Sequence, residues 1–184
     1  DLEEIRIRLM AAQRIVTLEN DIAEKNKALQ EAHEHIKKDL EAAASTQFKS
    51  LPEPLLDGQI KMNWFYKPAI YIGGDTFDYY KTQTGCLVFY SVDISGHGIS
   101  AAMLSMSLQV SLGLKRRLYG GAITRDRLAE IPALFAKNLK HRLIAQGSDH
   151  YLTMLFGIID MHTNKVYFVQ AGHPHPYVYR QQKN

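Results

Sequence analysis

Two aspartates have the type and spacing for shared chemistry. Asp75 follows Gly73 and Gly74, and Asp93 closes an apolar run ahead of Ile94-Ser95-Gly96-His97-Gly98. Each reads as the end of a strand-like run beside glycine-rich backbone. Their separation, 93 − 75 = 18 residues, suits a strand, a turn and a return strand that bring both ends to one rim of a sheet. Two carboxylates at such a rim make a site for a hard divalent cation. The glycines after Asp93 let the chain turn sharply, so a carboxylate and a free carbonyl reach one point, and a metal uses both.

Other constellations carry less. Gly-Gly-Asp at a strand end is by itself often only a tight turn. Asp93, Ser95 and His97 are triad residue types, but they lie two apart in one turn, and a nucleophile elbow needs glycine where Asp93 sits. His173 and His175 in AGHPHP could share a zinc ion, yet no second ligand pair is evident, so a structural role in a strand-end turn is the reading. Gly73–Phe77, GGDTF, resembles the GGDEF signature of diguanylate cyclases. It has threonine at the acidic fourth position, and the upstream segment that should be an acidic metal-ligand strand reads as helix (EHIKKDLEA). A degenerate cyclase is the remote alternative.

The elements that must position the two aspartates follow from periodicity. Residues 1–48 lack proline and glycine and are rich in Ala, Leu, Glu, Lys and Arg, which predicts one long helix. Ile15, Ile22, Leu29, Ile36 and Ala43 recur every seven residues, with Leu18, Lys25, Ala32, Asp39 and Thr46 at the companion positions. The reading is a parallel homodimeric coiled coil whose seam is weakened by Lys25 and Asp39, with a single helix packed on its own domain as the alternative. The first twenty residues are apolar on more than one face. With a start at DLEE and no methionine, they suggest a fragment with an upstream domain removed. Leu51-Pro52-Glu53-Pro54 ends the helix. A half-buried strand is expected over 60–66, strands over 79–81 and 86–92 with Thr84-Gly85 as the hairpin tip, and a helix over 100–118 closed by Lys115-Arg116-Arg117. Gly120-Gly121 breaks it. A second helix spans 126–146, kinked or restarted at Pro132, with Gly147 as its C-cap. Strands over 151–160 and 165–171 form a hairpin, and another strand starts at 177–179. Strands in hairpins followed by helices and more strands make an α+β pattern.

Composition bounds the rest. A chain of 184 residues with 46% hydrophobic content holds a real core. The formal charge of +3 is too small and dispersed for nucleic acid. Residues 1–48 carry 7 basic and 10 acidic side chains and 49–184 carry 15 and 9, which puts a domain boundary near 48. Cys86 is alone, inside an apolar run, so it is a buried small hydrophobe in a reducing, cytoplasmic compartment. There is no signal peptide, and the uncharged stretch 98–114 is too short and too rich in serine for a membrane span.

Laid end to end, the segments resemble the PPM (type 2C) metal-dependent Ser/Thr phosphatases, in the bacterial branch of SpoIIE/RsbU-like regulators. The matching stretches are DLEAAASTQFKSLPEP (39–54), YKPAIYIGGDTFDYY (66–80), VDISGHGISAAMLSMSL (92–108), YLTMLFGIID (151–160) and AGHPHP (171–176). Residues 1–20 are similar to the last helix of a response-regulator receiver domain entering a coiled-coil linker. The resemblance implies a PPM-type β-sandwich flanked by helices over 49–184, preceded by the 1–48 linker. It implies that Asp75 holds one Mn²⁺ or Mg²⁺, that Asp93 bridges two, and that the Ile94 carbonyl completes the first shell. Gly73, Gly74, Gly96 and Gly98 shape the turns, and Asp78 matches a further acidic position. No side chain is the nucleophile; water held by the two ions attacks phosphorus in line. The implied partner is a phosphoserine or phosphothreonine protein, a STAS-type anti-sigma-factor antagonist. The family continues past the AGHP strand with two further aspartates that this chain lacks, so the domain reads as C-terminally incomplete. These 184 residues alone are then expected to bind metal weakly and turn over little. The alternative is a catalytically inactive phosphatase-fold scaffold that dimerises through its coil.

Overall fold

The computed structural model describes residues 1–58, 60–119, 123, 125–145 and 150–179, the side chains of 114–119, 125 and 142–145 excepted. Residues 1–43 and 44–184 form separate compact units.

Helix α1 runs from Leu2 to Lys49. Its length follows from the absence of any helix breaker before Pro52. Ser50 closes it: the Ser50 amide and hydroxyl both donate to the Gln47 carbonyl, at 3.1 and 2.6 Å. Along residues 1–43 the apolar heptad positions Ile15, Ile22, Leu29 and Ile36 are all exposed.

The second unit begins with a hairpin, β1 (Leu55–Asp57) and β2 (Ile60–Met62), around the Asp57-Gly58 turn. An Asp57–Lys81 ion pair ties it to the next strand. The main sheet has four antiparallel strands in chain order: β3 (Thr76–Lys81), β4 (Cys86–Ile94), β5 (Leu152–Asp160) and β6 (Lys165–Ala171). Between β4 and β5 come α2 (Ile99–Tyr119), a 3₁₀ turn at Arg125–Arg127 and α3 (Ile131–Ala145).

Alternation builds the core. Cys86, Val88, Tyr90, Val92 and Ile94 on β4, with Met154, Phe156 and Ile158 on β5, pack against Leu108 and Leu112 of α2 and Leu139 of α3. Phe135 of α3 stacks on Phe156 with ring centroids 4.0 Å apart. The opposite face near β3 is covered by aromatics from the end of α1 and the segment after it. Phe48, Trp64 and Phe77 form a chain of ring contacts at 5.8 and 5.3 Å. Trp64 and Tyr79 donate to the carbonyls of Pro52 and Glu53.

The α+β class, the long N-terminal helix and the antiparallel sheets are as expected from the sequence. Several elements differ. The strand expected over 60–66 stops at Met62, because Trp64 and Tyr66 are half-covered by ring packing on Phe77 rather than paired in a ladder. No strand leads directly into Asp75: residues 63–75 are outside any strand, and 69–74 run through bends. The helix expected from 126 begins at Ile131, with Pro132 at its first turn. Tyr177–Tyr179 is not a strand: all three side chains are exposed, and among the described residues no strand pairs with them. The side chains of Lys115, Arg116 and Arg117, the Gly120-Gly121 break and the Gly147 cap lie outside the described residues.

Candidate metal centre

The β3–β4 register places the two aspartates together. Thr76 pairs with Val92, so Asp75, one residue before the ladder, falls opposite Asp93. The two carboxyls lie close enough for the Asp93 charge to act on Asp75. Asp93 is also paired on its other side, with Thr153 of β5.

Two glycines make the approach. A Cβ at Gly74 would lie 2.9 Å from the Ile94 carbonyl oxygen and 3.2 Å from Ala101 Cβ. The turn carrying Asp75 therefore rests directly on the turn after Asp93. A Cβ at Gly73 would lie 2.9 Å from the Tyr66 hydroxyl. Gly96 and Gly98 act differently: they hold φ of 89° and 86°, where a side chain is strained.

Both turns are strapped from outside. Gln47, buried in the last turn of α1, clamps the Gly73 residue at both ends. Its Nε2 donates to the Gly73 carbonyl at 2.7 Å, and its Oε1 accepts from the Gly73 amide at 3.1 Å. Ser105 of α2 donates to the same carbonyl at 3.3 Å. Around the second turn, His150 bonds the Ser95 carbonyl through Nδ1 and the Ser100 hydroxyl through Nε2, each at 2.8 Å. Ser95 and Tyr151 exchange two further bonds.

The electrostatics are those of two carboxyls held close together. The Asp75 carboxyl is pushed above its ordinary 3.8, first by burial, then by the Asp93 charge; His173 partly offsets this. His173 is fixed by a 2.8 Å bond between its Nδ1 and Thr153 Oγ1. Between the ordinary and the raised value, the folded chain holds more protons than the unfolded one. Metal-free stability therefore falls as pH rises through that interval. Asp75→Asn is expected to stabilise the metal-free protein at neutral pH, with the gain vanishing below about pH 4. Thermal melts in EDTA across pH check this; an equal gain at all pH values would contradict it.

The donor set suits a hard cation as far as it goes. Two carboxylates and the adjoining Ile94 carbonyl are oxygen ligands that Mn²⁺ or Mg²⁺ takes alongside water. Among the described residues no group of three or more His, Cys, Asp or Glu gathers. His175 is exposed. Asp78 pairs with Tyr90, and strand alternation puts it on the helix-covered face, away from Asp93. Its carboxylate accepts from the Tyr79 amide at 2.8 Å. Sequence reasoning did not find the roles of Tyr66, His150 or His173 around the pair. The one signal for His173 was its AGHPHP turn.

Residues 83–184 match the family model described as Stage II sporulation protein E (SpoIIE). The chain belongs to this family of PPM-type phosphatase domains. It is 28% identical over 144 residues to phosphoserine phosphatase RsbP of Bacillus subtilis (strain 168), covering 75% of this chain and 33% of that protein. It also shares its fold with the SiaA-PP2C domain of Pseudomonas aeruginosa. There the TM-score is 0.53 at 19% identity, over 76% of this chain and 55% of that one. The chain thus spans about a third of the first relative and about half of the second.

Proposed function

We propose that this chain serves a metal-dependent phosphoprotein phosphatase that removes phosphate from serine or threonine of a signalling partner. The observation that carries the reading is the meeting of the Asp75 and Asp93 carboxylates beside the Ile94 carbonyl. Asp75, Asp93 and the Ile94 carbonyl are the ligands this chain offers to Mn²⁺ or Mg²⁺. Such ions, when bound, acidify water and neutralise phosphoryl charge. Gly73, Gly74, Gly96 and Gly98 give the two turns their shape, and Gln47, Ser105 and His150 hold them there. The name of the Bacillus relative, a phosphoserine phosphatase, supports the substrate class. A STAS-type anti-sigma-factor antagonist is the partner we assign.

Control is proposed to enter through α1 as the linker of a response regulator, residues 1–48 pairing with a second copy and 1–20 closing a receiver domain. The exposed stripe of Ile15, Ile22, Leu29 and Ile36 supports pairing. Full-length protein sedimenting as a monomer would remove this part. Among the described residues no helix is long and apolar enough to cross a membrane. Buried, unpaired Cys86 fits the cytoplasmic location we assign.

The test is hydrolysis of a phosphoserine protein by the full-length protein with Mn²⁺. Release of phosphate that EDTA abolishes is expected. No release with any divalent cation would favour an inactive scaffold.

A further inference from the structure

A phenol hydroxyl is buried beside the acidic pair without a partner. Among the described residues Tyr66 Oη is screened from solvent and makes no hydrogen bond. Such groups are rare in folded proteins, because leaving a buried hydroxyl unpaired is unfavourable. Thr76 buries a second unpaired hydroxyl, but it is short, free to rotate, and belongs to the helix-facing side with Val92.

Tyr66 is not free to move away. Its ring packs on Phe77 with centroids 6.4 Å apart. Its hydroxyl stands over Gly73, where only a missing side chain admits it. Gly73 is two residues before Asp75, and its peptide groups are clamped by Gln47. The oxygen is thus fixed beside the turn that carries the carboxylate. A phenol is protonated at neutral pH and is a donor. Nearby, an ionised carboxylate accepts at several lone pairs and, when ligating, keeps some of them spare.

We propose that Tyr66 is a positioning residue for the cation centre: when Asp75 turns to ligate, the Tyr66 hydroxyl donates to its carboxylate and fixes that orientation. This rests on the metal-centre reading above. Outer partners of this kind commonly change metal affinity by about 10- to 100-fold.

The test is Tyr66→Phe in the full-length protein, which removes one oxygen and keeps the ring. Two quantities are read: the melting temperature in EDTA, and the Kd for Mn²⁺ alone by titration calorimetry. The expected result is an EDTA melting temperature unchanged or raised, with Mn²⁺ binding weakened about 10-fold or more. Unchanged Mn²⁺ affinity would overturn the proposal, leaving Tyr66 as packing. A lowered melting temperature in EDTA would also overturn it, since the hydroxyl would then serve the fold. Absence of Mn²⁺ binding by the unsubstituted protein is a separate result: it would remove the metal centre itself.

Discussion

Gly74→Ala lowers Mn²⁺-dependent turnover of the full-length protein by about 100-fold, the scale expected when a reacting centre is misplaced by about 1 Å. The new methyl group would stand 2.9 Å from the Ile94 carbonyl oxygen and 3.2 Å from Ala101 Cβ. Neither neighbour can give way. Ile94 is 1% exposed and Ala101 is fully buried, so both are held by the core between β4 and α2. The turn carrying Asp75 must move instead, and the two carboxylates separate. Two other glycines serve as controls. Gly58 has nothing within 4 Å of a new Cβ, so Gly58→Ala leaves turnover intact. Gly98 is equally open, but its φ of 86° makes Gly98→Ala strained for a different reason. Turnover at saturating Mn²⁺ and the melting temperature check the prediction. A Gly74→Ala protein with ordinary turnover would mean that the contact between the two turns is unimportant.

The second large effect is at Gln47. Gln47→Ala removes the acceptor that the Gly73 amide has among the described residues and one of two donors to the Gly73 carbonyl. Leaving a buried amide unpaired costs about 1–3 kcal/mol. The consequence for the site is specific. Gln47 sits in the last turn of α1, and the residue it clamps lies two positions from Asp75, so the end of the helix sets where that ligand stands. The Mn²⁺ concentration giving half-maximal activity is expected to rise several-fold in Gln47→Ala. A variant that melts lower yet needs no more Mn²⁺ would show a structural strut with no hold on the centre. This route also gives the proposed control through α1 a physical form: a small shift of the helix end is passed to Gly73 by two hydrogen bonds.

Sequence periodicity disclosed much of this molecule because periodicity reports burial. The breaker-free run before Pro52 gave α1, and the apolar stretches ending at Asp93 and Asp160 gave β4 and β5. Aspartate at a strand end beside glycine disclosed the acidic pair. Burial is not hydrogen bonding, however, and there the sequence misled. Met62, Trp64 and Tyr66 alternate like a strand, but only the first is in one; the other two are half-buried through tilted ring contacts with Phe77. Tyr177–Tyr179 has strand-forming residues and no partner strand among those described. The straps were hidden for another reason. Gln47 to Gly73, His150 to Ser95 and Thr153 to His173 join positions 26, 55 and 20 residues apart, and no local pattern encodes such pairs.

The most direct test of the metal centre is Asp93→Asn in the full-length protein, read as Mn²⁺-dependent release of phosphate from a phosphoserine protein. Asparagine keeps the size and loses the charge, and the paired register with Thr153 is unchanged. The account predicts a fall of about 10³-fold, the scale set by removing a charge that organises a transition state. Turnover retained in Asp93→Asn would contradict the assignment of Asp75 and Asp93 as a shared cation site.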